Sequence, residues 1–131
     1  MIIFLDTSSP VCRLSLKDND LTYEHDWASD RNLAKGLLSY IQNRLKEHNR
    51  SWSDIDYIGV KSGPGSFTGL RIGLTVMNTL ADTNKIPIVS GRGDDWMEEA
   101  DKKISNKINE SIIIPFYDSE PNITTPKNNL L

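Results

Sequence analysis

Residues 56–84 read DYIGVKSGPGSFTGLRIGLTVMNTLADTN, and three kinds of chain follow one another within them. Asp56–Lys61 is a short apolar run suited to a buried strand. Gly63, Pro64 and Gly65 then make a sharp, stiffened turn. From about Thr68 to Asn84 the apolar residues recur with helical spacing, and Ser66 or Thr68 is placed to cap that helix. A strand, a glycine turn and a long helix in this order are the repeating unit of an α/β protein.

A glycine-rich turn ahead of a helix N-terminus is also a natural anion site, because free N–H groups point outward there. Phosphate binding by Asp6, Gly63, Gly65 and Ser66 is therefore one reading of the turn. The spacing is neither G-x-x-x-x-G-K-[ST] nor G-x-G-x-x-G, however, and a tight strand-to-helix turn accounts for it more simply. The helix is more informative. Leu70, Ile72, Gly73, Leu74, Val76, Met77, Leu80 and Ala81 cover roughly 220° of its wheel, where about 100° suffices to pack on one sheet face. The surplus has to meet the preceding helix, a second chain, or both, and an exposed apolar patch of that kind marks an interface.

Working outward, Ile2–Leu5, Val11–Leu16 and Leu21–Trp27 are predicted as three strands of an antiparallel meander. Val11–Leu16 alternates with period two, and Asp18-Asn19-Asp20 supplies a turn. Asp30 is the expected N-cap of a first helix reaching about His48, with Leu33, Ala34, Leu37, Leu38, Ile41 and Leu45 along one arc. Beyond the second helix, Ile86–Val89 is a fifth strand and Asp94 to about Ile108 a weak helix carrying Trp96, Met97 and Ala100 on one side. Ile112–Tyr117 is apolar and extended, and Pro115 restricts it to a sheet edge. Pro121–Leu131 reads as a polar tail. The order β-β-β-α-β-α-β specifies a mixed five-stranded sheet with helices, as in RNase H-like folds, over residues 1–108. An extended segment and tail occupy 109–131.

The chain has 131 residues, 37% hydrophobic and 25% charged, with a net charge of −3. A negative balance offers no general attraction to nucleic acid, so an RNA role is expected to run through a partner. Cys12 is the single cysteine, which leaves no internal disulfide and no CxxC metal pattern. No apolar run reaches membrane-spanning length, and the first residues reach Asp6 too soon for a signal peptide. A cytoplasmic protein is expected. Asp6, followed by Thr7, Ser8 and Ser9, has the position of a phosphate-facing turn in actin-like ATPases, or of a first metal carboxylate in a nuclease. Asp54 and Asp56 precede the fourth strand, whose body (YIGVKS) carries no second carboxylate for a two-metal site, and a turn-forming role for Asp6 is preferred. His25 and His48 stand far apart and read as separate surface residues. Cys12 reads as a small core residue. No triad, metal cluster or acid–base pair emerges, and no catalytic residue or metal ligand is assigned.

Gly63–Gly73, GPGSFTGLRIG, resembles the hallmark of the TsaB/YeaZ family, a non-catalytic component of the system that forms N6-threonylcarbamoyladenosine at position 37 of tRNA. FLDTSS at residues 4–9, the first amphipathic helix and NKIPIVS at residues 84–90 are similar to that family's N-terminal lobe. The run IIIPFYDSEPNITTPK resembles its C-terminal ending. The resemblance implies an RNase H-like, actin-like ATPase (ASKHA) lobe. It also implies docking of the catalytic homologue TsaD on the first two helices, placed here on Leu37, Ile41, Leu45, Leu70, Leu74, Met77 and Ala81. TsaE would be a third component and tRNA would be reached only through the complex, while monomer and homodimer stay open for the chain without TsaD. No cofactor of its own is implied; ATP and metal belong to the partners. Two departures stand out. The second lobe of most members is reduced to a short linker, Gly91–Ser111, and the usual His-Ser-Glu early in the first helix is Arg31-Asn32-Leu33. The rival readings are a stand-alone nucleotide-binding hydrolase using Asp6 and the Gly63–Gly69 loop, and a structural homodimer.

Overall fold

The computed structural model describes residues 1–117. Five strands, β1 (Ile2–Asp6), β2 (Val11–Asp18), β3 (Leu21–Ala28), β4 (Tyr57–Gly63) and β5 (Ile88–Arg92), form one sheet in the order β3-β2-β1-β4-β5. The first three pair antiparallel, and β4 and β5 join parallel to β1 through helical crossovers. The helices are α1 (Leu33–Glu47), α2 (Phe67–Asn84) and α3 (Trp96–Ser105). This is the mixed sheet that the order of elements leads one to expect.

Alternation along the strands assigns the two faces. Ile3, Leu5, Cys12, Leu14, Leu16, Ile58, Val60 and Ile88 point to one side, where they meet Leu33, Leu37, Ile41 and Leu45 of α1 and Leu74, Met77 and Ala81 of α2. Phe4 and Val89 point to the other side, against Trp96 and Ala100 of α3. Burying each Leu or Ile of the larger cluster contributes roughly 1.5–3 kcal/mol. Gly59 lies under α3, where a side chain at that position would come within 2.7 Å of the Phe4 ring.

Several boundaries differ from the sequence reading. Asp30 is not the N-cap of α1: it stands at φ +49° inside a 3-10 turn, and Asn32 takes the cap position without a side-chain bond. Strand β5 starts two residues late, because Ile86 N–H bonds back to the Ala81 carbonyl to close α2, and Pro87 has no N–H to give a ladder. Within the linker Gly91–Ser111 the expected weak helix is present as α3, shorter at both ends than Asp94 to Ile108, and with Trp96, Met97 and Ala100 it covers the second sheet face.

Ile112–Tyr117 is not an edge strand either. The outer edge of β5 is already occupied: Ile88 N–H donates to Asn109 Oδ1 (3.0 Å), Ser90 N–H to Glu110 Oε1 (2.7 Å) and Arg92 N–H to Glu99 Oε1 (3.0 Å). The Ile88 carbonyl accepts from Glu110 N–H (2.9 Å) and the Ser90 carbonyl from Lys103 Nζ (2.8 Å). Ile113 crosses to α2 instead, where the Asn78 side chain accepts its N–H and donates to its carbonyl, each at 2.9 Å. The tail expected over Pro121–Leu131 lies outside the described residues.

Candidate docking groove between the first two helices

Helices α1 and α2 lie side by side on the larger core, and their wheels decide which residues reach the surface. The seven residues singled out for docking do not. Leu37, Ile41, Leu45, Leu70 and Met77 are fully buried, and Leu74 and Ala81 are each 3% exposed. Residues 37, 41 and 45, spaced by four, form the lowest line of α1, and 70, 74, 77 and 81 form the matching line of α2. Both lines lie against the protein's own interior, six of the seven residues directly in the cluster that packs on the sheet. These side chains hold the helices down and have no free surface to offer.

The surplus arc of α2 emerges one step round the helix. Ile72 and Val76 are half-buried, and from α1 Ala34 is exposed and Leu38 is 49% exposed. Between them runs an open groove of ≈ 550 Å³ with Ala34, Leu38, Val76, Thr79 and Leu80 among its lining and Lys35 on its rim. A second depression of ≈ 340 Å³ continues it toward the start of α2, past Ile72 and Arg71. An apolar floor with cationic rims suits a helical partner that lays down an apolar stripe flanked by acidic side chains.

At the start of α2 the glycine motif is taken up by the chain itself. Asp6 Oδ1 accepts from Ser8 N–H (2.8 Å) and Ser8 Oγ–H (2.6 Å), the turn-forming role preferred for it. Ser66 N–H then donates to the Ser8 carbonyl (2.7 Å), Thr7 Oγ1 donates to the Gly69 carbonyl (2.8 Å), and Ser66 Oγ caps Gly69 N–H (3.3 Å). A Cβ at Gly65 would lie 2.4 Å from Ser8 Cβ, and one at Gly69 would lie 2.3 Å from the Thr7 carbonyl oxygen. Thr7 and Ser8 thus fill the concavity that the glycines open. Gly63 meets the opposite end of the chain, its Cβ position lying 1.8 Å from the Phe116 carbonyl. Of the four contacts the hydrolase reading names, Asp6 and Ser66 are engaged in these internal hydrogen bonds, and Gly63 and Gly65 lie against Phe116 and Ser8.

Among the described residues, no three or more His, Cys, Asp or Glu side chains gather where they could hold one metal ion. Cys12 is buried in β2, and burial, followed by the charges of Asp6 and Asp26, pushes its thiol up to about 12. It is therefore not a thiolate at neutral pH.

The two histidines, read as separate surface residues, are neighbours: His25 Nε2 and His48 Nε2 are 3.3 Å apart. Alternate residues of β3 (Tyr23, His25, Trp27) face every fourth residue of α1 and its cap (Tyr40, Arg44, His48). Two strand residues advance about 6.6 Å and four helical residues about 6 Å, so the two series stay in step. Trp27 stacks on Tyr40 (4.7 Å), Tyr23 stacks on His48 (4.0 Å), and Arg44 lies over Tyr40 (5.2 Å). Matching the period-two face of β3 to the period-four face of α1 is the signal that brings the pair together.

Three comparisons bear on this geometry. The family model described as "TsaD: tRNA N6-adenosine threonylcarbamoyltransferase" matches residues 27–90. The chain is similar to the tRNA threonylcarbamoyladenosine biosynthesis protein TsaB of Escherichia coli, 30% identical over 88 residues, which are 67% of this chain and 38% of that protein. The TsaB protein of Bacillus subtilis is 31% identical over 88 residues, 66% of this chain and 38% of that one. Among solved structures, YeaZ from Pseudomonas aeruginosa superposes with a TM-score of 0.65 at 28% identity, over 81% of this chain and 49% of that one. A protein described as similar to peptidase YEAZ, at 20% identity, matches with the same TM-score of 0.65 over 98% of this chain and 70% of its own, and shows the fold alone. The fold is thus of the actin-like α/β type, and the chain spans well under half the length of the curated relatives it matches.

Proposed function

The chain belongs to the TsaB/YeaZ family, and from that membership we propose that it is a non-catalytic subunit in tRNA threonylcarbamoyladenosine biosynthesis, docking a TsaD-type homologue on its first two helices. The observation that carries the reading is the open apolar groove between α1 and α2. Its occupant is taken to be an amphipathic helix pair from TsaD, a homologue of the same fold, which would complete a bundle with α1 and α2. TsaD then supplies the metal, the nucleotide chemistry and the transfer to adenosine, with TsaE as a third component. The net charge of −3 agrees with tRNA being held by the partners. No described helix is long and apolar enough to cross a membrane, and the cytoplasm is the compartment this role requires.

The docking residues of this proposal are Leu38, Val76, Ala34 and Ile72, in place of the seven buried ones. Size-exclusion chromatography of the chain with TsaD tests it. The wild-type pair is expected to co-elute. Leu38→Asp combined with Val76→Asp should weaken association by at least about a hundredfold, with a charge introduced at each of two apolar contacts, while the far-UV spectrum and urea midpoint stay near wild type. Co-elution that survives the double substitution, or a wild-type chain that never co-elutes, would overturn the assignment. A homodimer seen without TsaD and dissolved by the same substitutions would show the groove serving a second copy instead. ATP turnover by the isolated chain would revive the hydrolase reading.

A further inference from the structure

His25 and His48 lie on the far side of α1 from the glycine turn, outside the docking groove, and nothing in the proposed role uses them. Their Nε2 atoms are 3.3 Å apart and their ring centroids 5.6 Å apart. Since each nitrogen sits about 1.1 Å from its own centroid, the rings meet almost head-on, sharing one N–H···N hydrogen bond. Tyr23 stacks on the His48 ring at 4.0 Å and holds its plane. Arg44, the nearby cation, is paired to Glu47 at 2.8 Å.

We propose that the His25–His48 pair is a chelating site for a divalent transition ion of the Zn²⁺, Ni²⁺ or Cu²⁺ class. Two imidazole nitrogens bound to one tetrahedral ion at about 2.05 Å stand about 3.3 Å apart, which is the separation found here. The separation thus needs no change. The rings meet head-on, so changes in the side-chain torsions of both histidines turn each ring by about 35° and aim the two lone pairs at a common apex beside the N···N line. The ion takes the place of the shared proton, which moves to Nδ1 of the ring that carried it, so both histidines bind as neutral imidazoles through Nε2. Imidazole nitrogen suits these ions and not Mg²⁺ or Ca²⁺, which take oxygen. With two protein ligands, water fills the other positions, so the ion exchanges readily and is not a permanent structural centre.

Such an ion ties β3, the outermost strand, to the end of α1 across 23 positions of sequence. Binding to the native pair, and far less to the unfolded chain, stabilises the fold by mass action. The test uses the full chain, zinc chloride for thermal melts and copper(II) as a paramagnetic probe in proton NMR. At zinc roughly a hundred times its dissociation constant, Tm should rise by about 10 °C. Substoichiometric copper should broaden the imidazole resonances of both histidines together. His25→Gln and His48→Gln should each abolish the zinc-dependent rise. Wild-type resonances and Tm that ignore zinc, nickel and copper would overturn the proposal even if neither variant folds. So would a rise that persists undiminished in both variants, which would place the ion elsewhere.

Discussion

Gly73→Ala sets two effects of comparable size against each other. Ala in a helix interior is favoured over Gly by about 0.8–1 kcal/mol, so at an exposed site the change would stabilise. Gly73 is not exposed. An added Cβ would lie 2.1 Å from Thr7 Oγ1, 2.9 Å from its Cγ2 and 3.0 Å from its Cβ. Thr7 has little freedom to retreat: it is 3% exposed and its hydroxyl is committed to the Gly69 carbonyl at 2.8 Å. Overpacking of this kind costs about 1–3 kcal/mol, and here the upper part of that range applies. The net expectation is a loss of about 1–2 kcal/mol. Thr7→Ala alone removes a hydrogen bond and should cost about 1 kcal/mol. In the double variant the contacts with Oγ1 and Cγ2 are gone, only the 3.0 Å approach to Cβ remains and the helix preference is largely realised, so the pair should be more stable than Gly73→Ala by itself. The coupling in the cycle then measures the clash, about 2 kcal/mol. Urea unfolding followed by tryptophan fluorescence gives all four stabilities. If Gly73→Ala equals or exceeds wild type, or the two changes simply add, the close approach of α2 to the β1–β2 turn is refuted.

Two further outcomes follow from the packing. Cys12, buried and with its thiol pushed up to about 12, should resist a disulfide-exchange reagent at pH 8 for as long as the chain is folded and react fully in denaturant; rapid native labelling would contradict its burial. Asn78→Ala should free the segment after α3, because it removes both bonds to Ile113 at a cost of about 1–3 kcal/mol to the docked segment. Limited proteolysis should then cut near Ser111–Ile114 several-fold faster, and an unchanged cleavage pattern would mean that Ile113 is held by its apolar contact alone.

Much of the architecture was legible because single elements carry their own periodicity. Cys12, Leu14 and Leu16 announced the buried face of β2, and Leu33, Leu37, Ile41 and Leu45 that of α1, with no knowledge of neighbours. What a wheel does not specify is how a wide apolar arc is divided between sheet, sister helix and solvent. The breadth of the α2 arc implies surplus surface, but its most central residues, Leu70, Leu74, Met77 and Ala81, are the ones the interior claims first. The surface falls to the flanks, at Ile72 and Val76, beside Ala34 and Leu38. The glycine motif was ambiguous for a related reason. Its occupant, Thr7–Ser8, comes from the other end of the domain, and sequence spacing does not register a contact across some sixty positions. His25 and His48 were missed likewise, since the match of β3 to α1 appears only once the meander folds back under the helix.

The two margins of the sheet are unlike. Along β5, side chains of Asn109, Glu110, Glu99 and Lys103 take the outward N–H and carbonyl groups, whereas β3 has β2 as its only strand neighbour among the described residues. Strand-by-strand polymerisation needs two receptive margins on each molecule, one to give and one to receive. With one margin sealed by the chain's own side chains, edge association can proceed through β3 alone and ends at a closed pair. Glu110, an unassuming charge in a connecting segment, thereby shares with Asn109, Glu99 and Lys103 the work of a terminator that keeps the sheet from propagating.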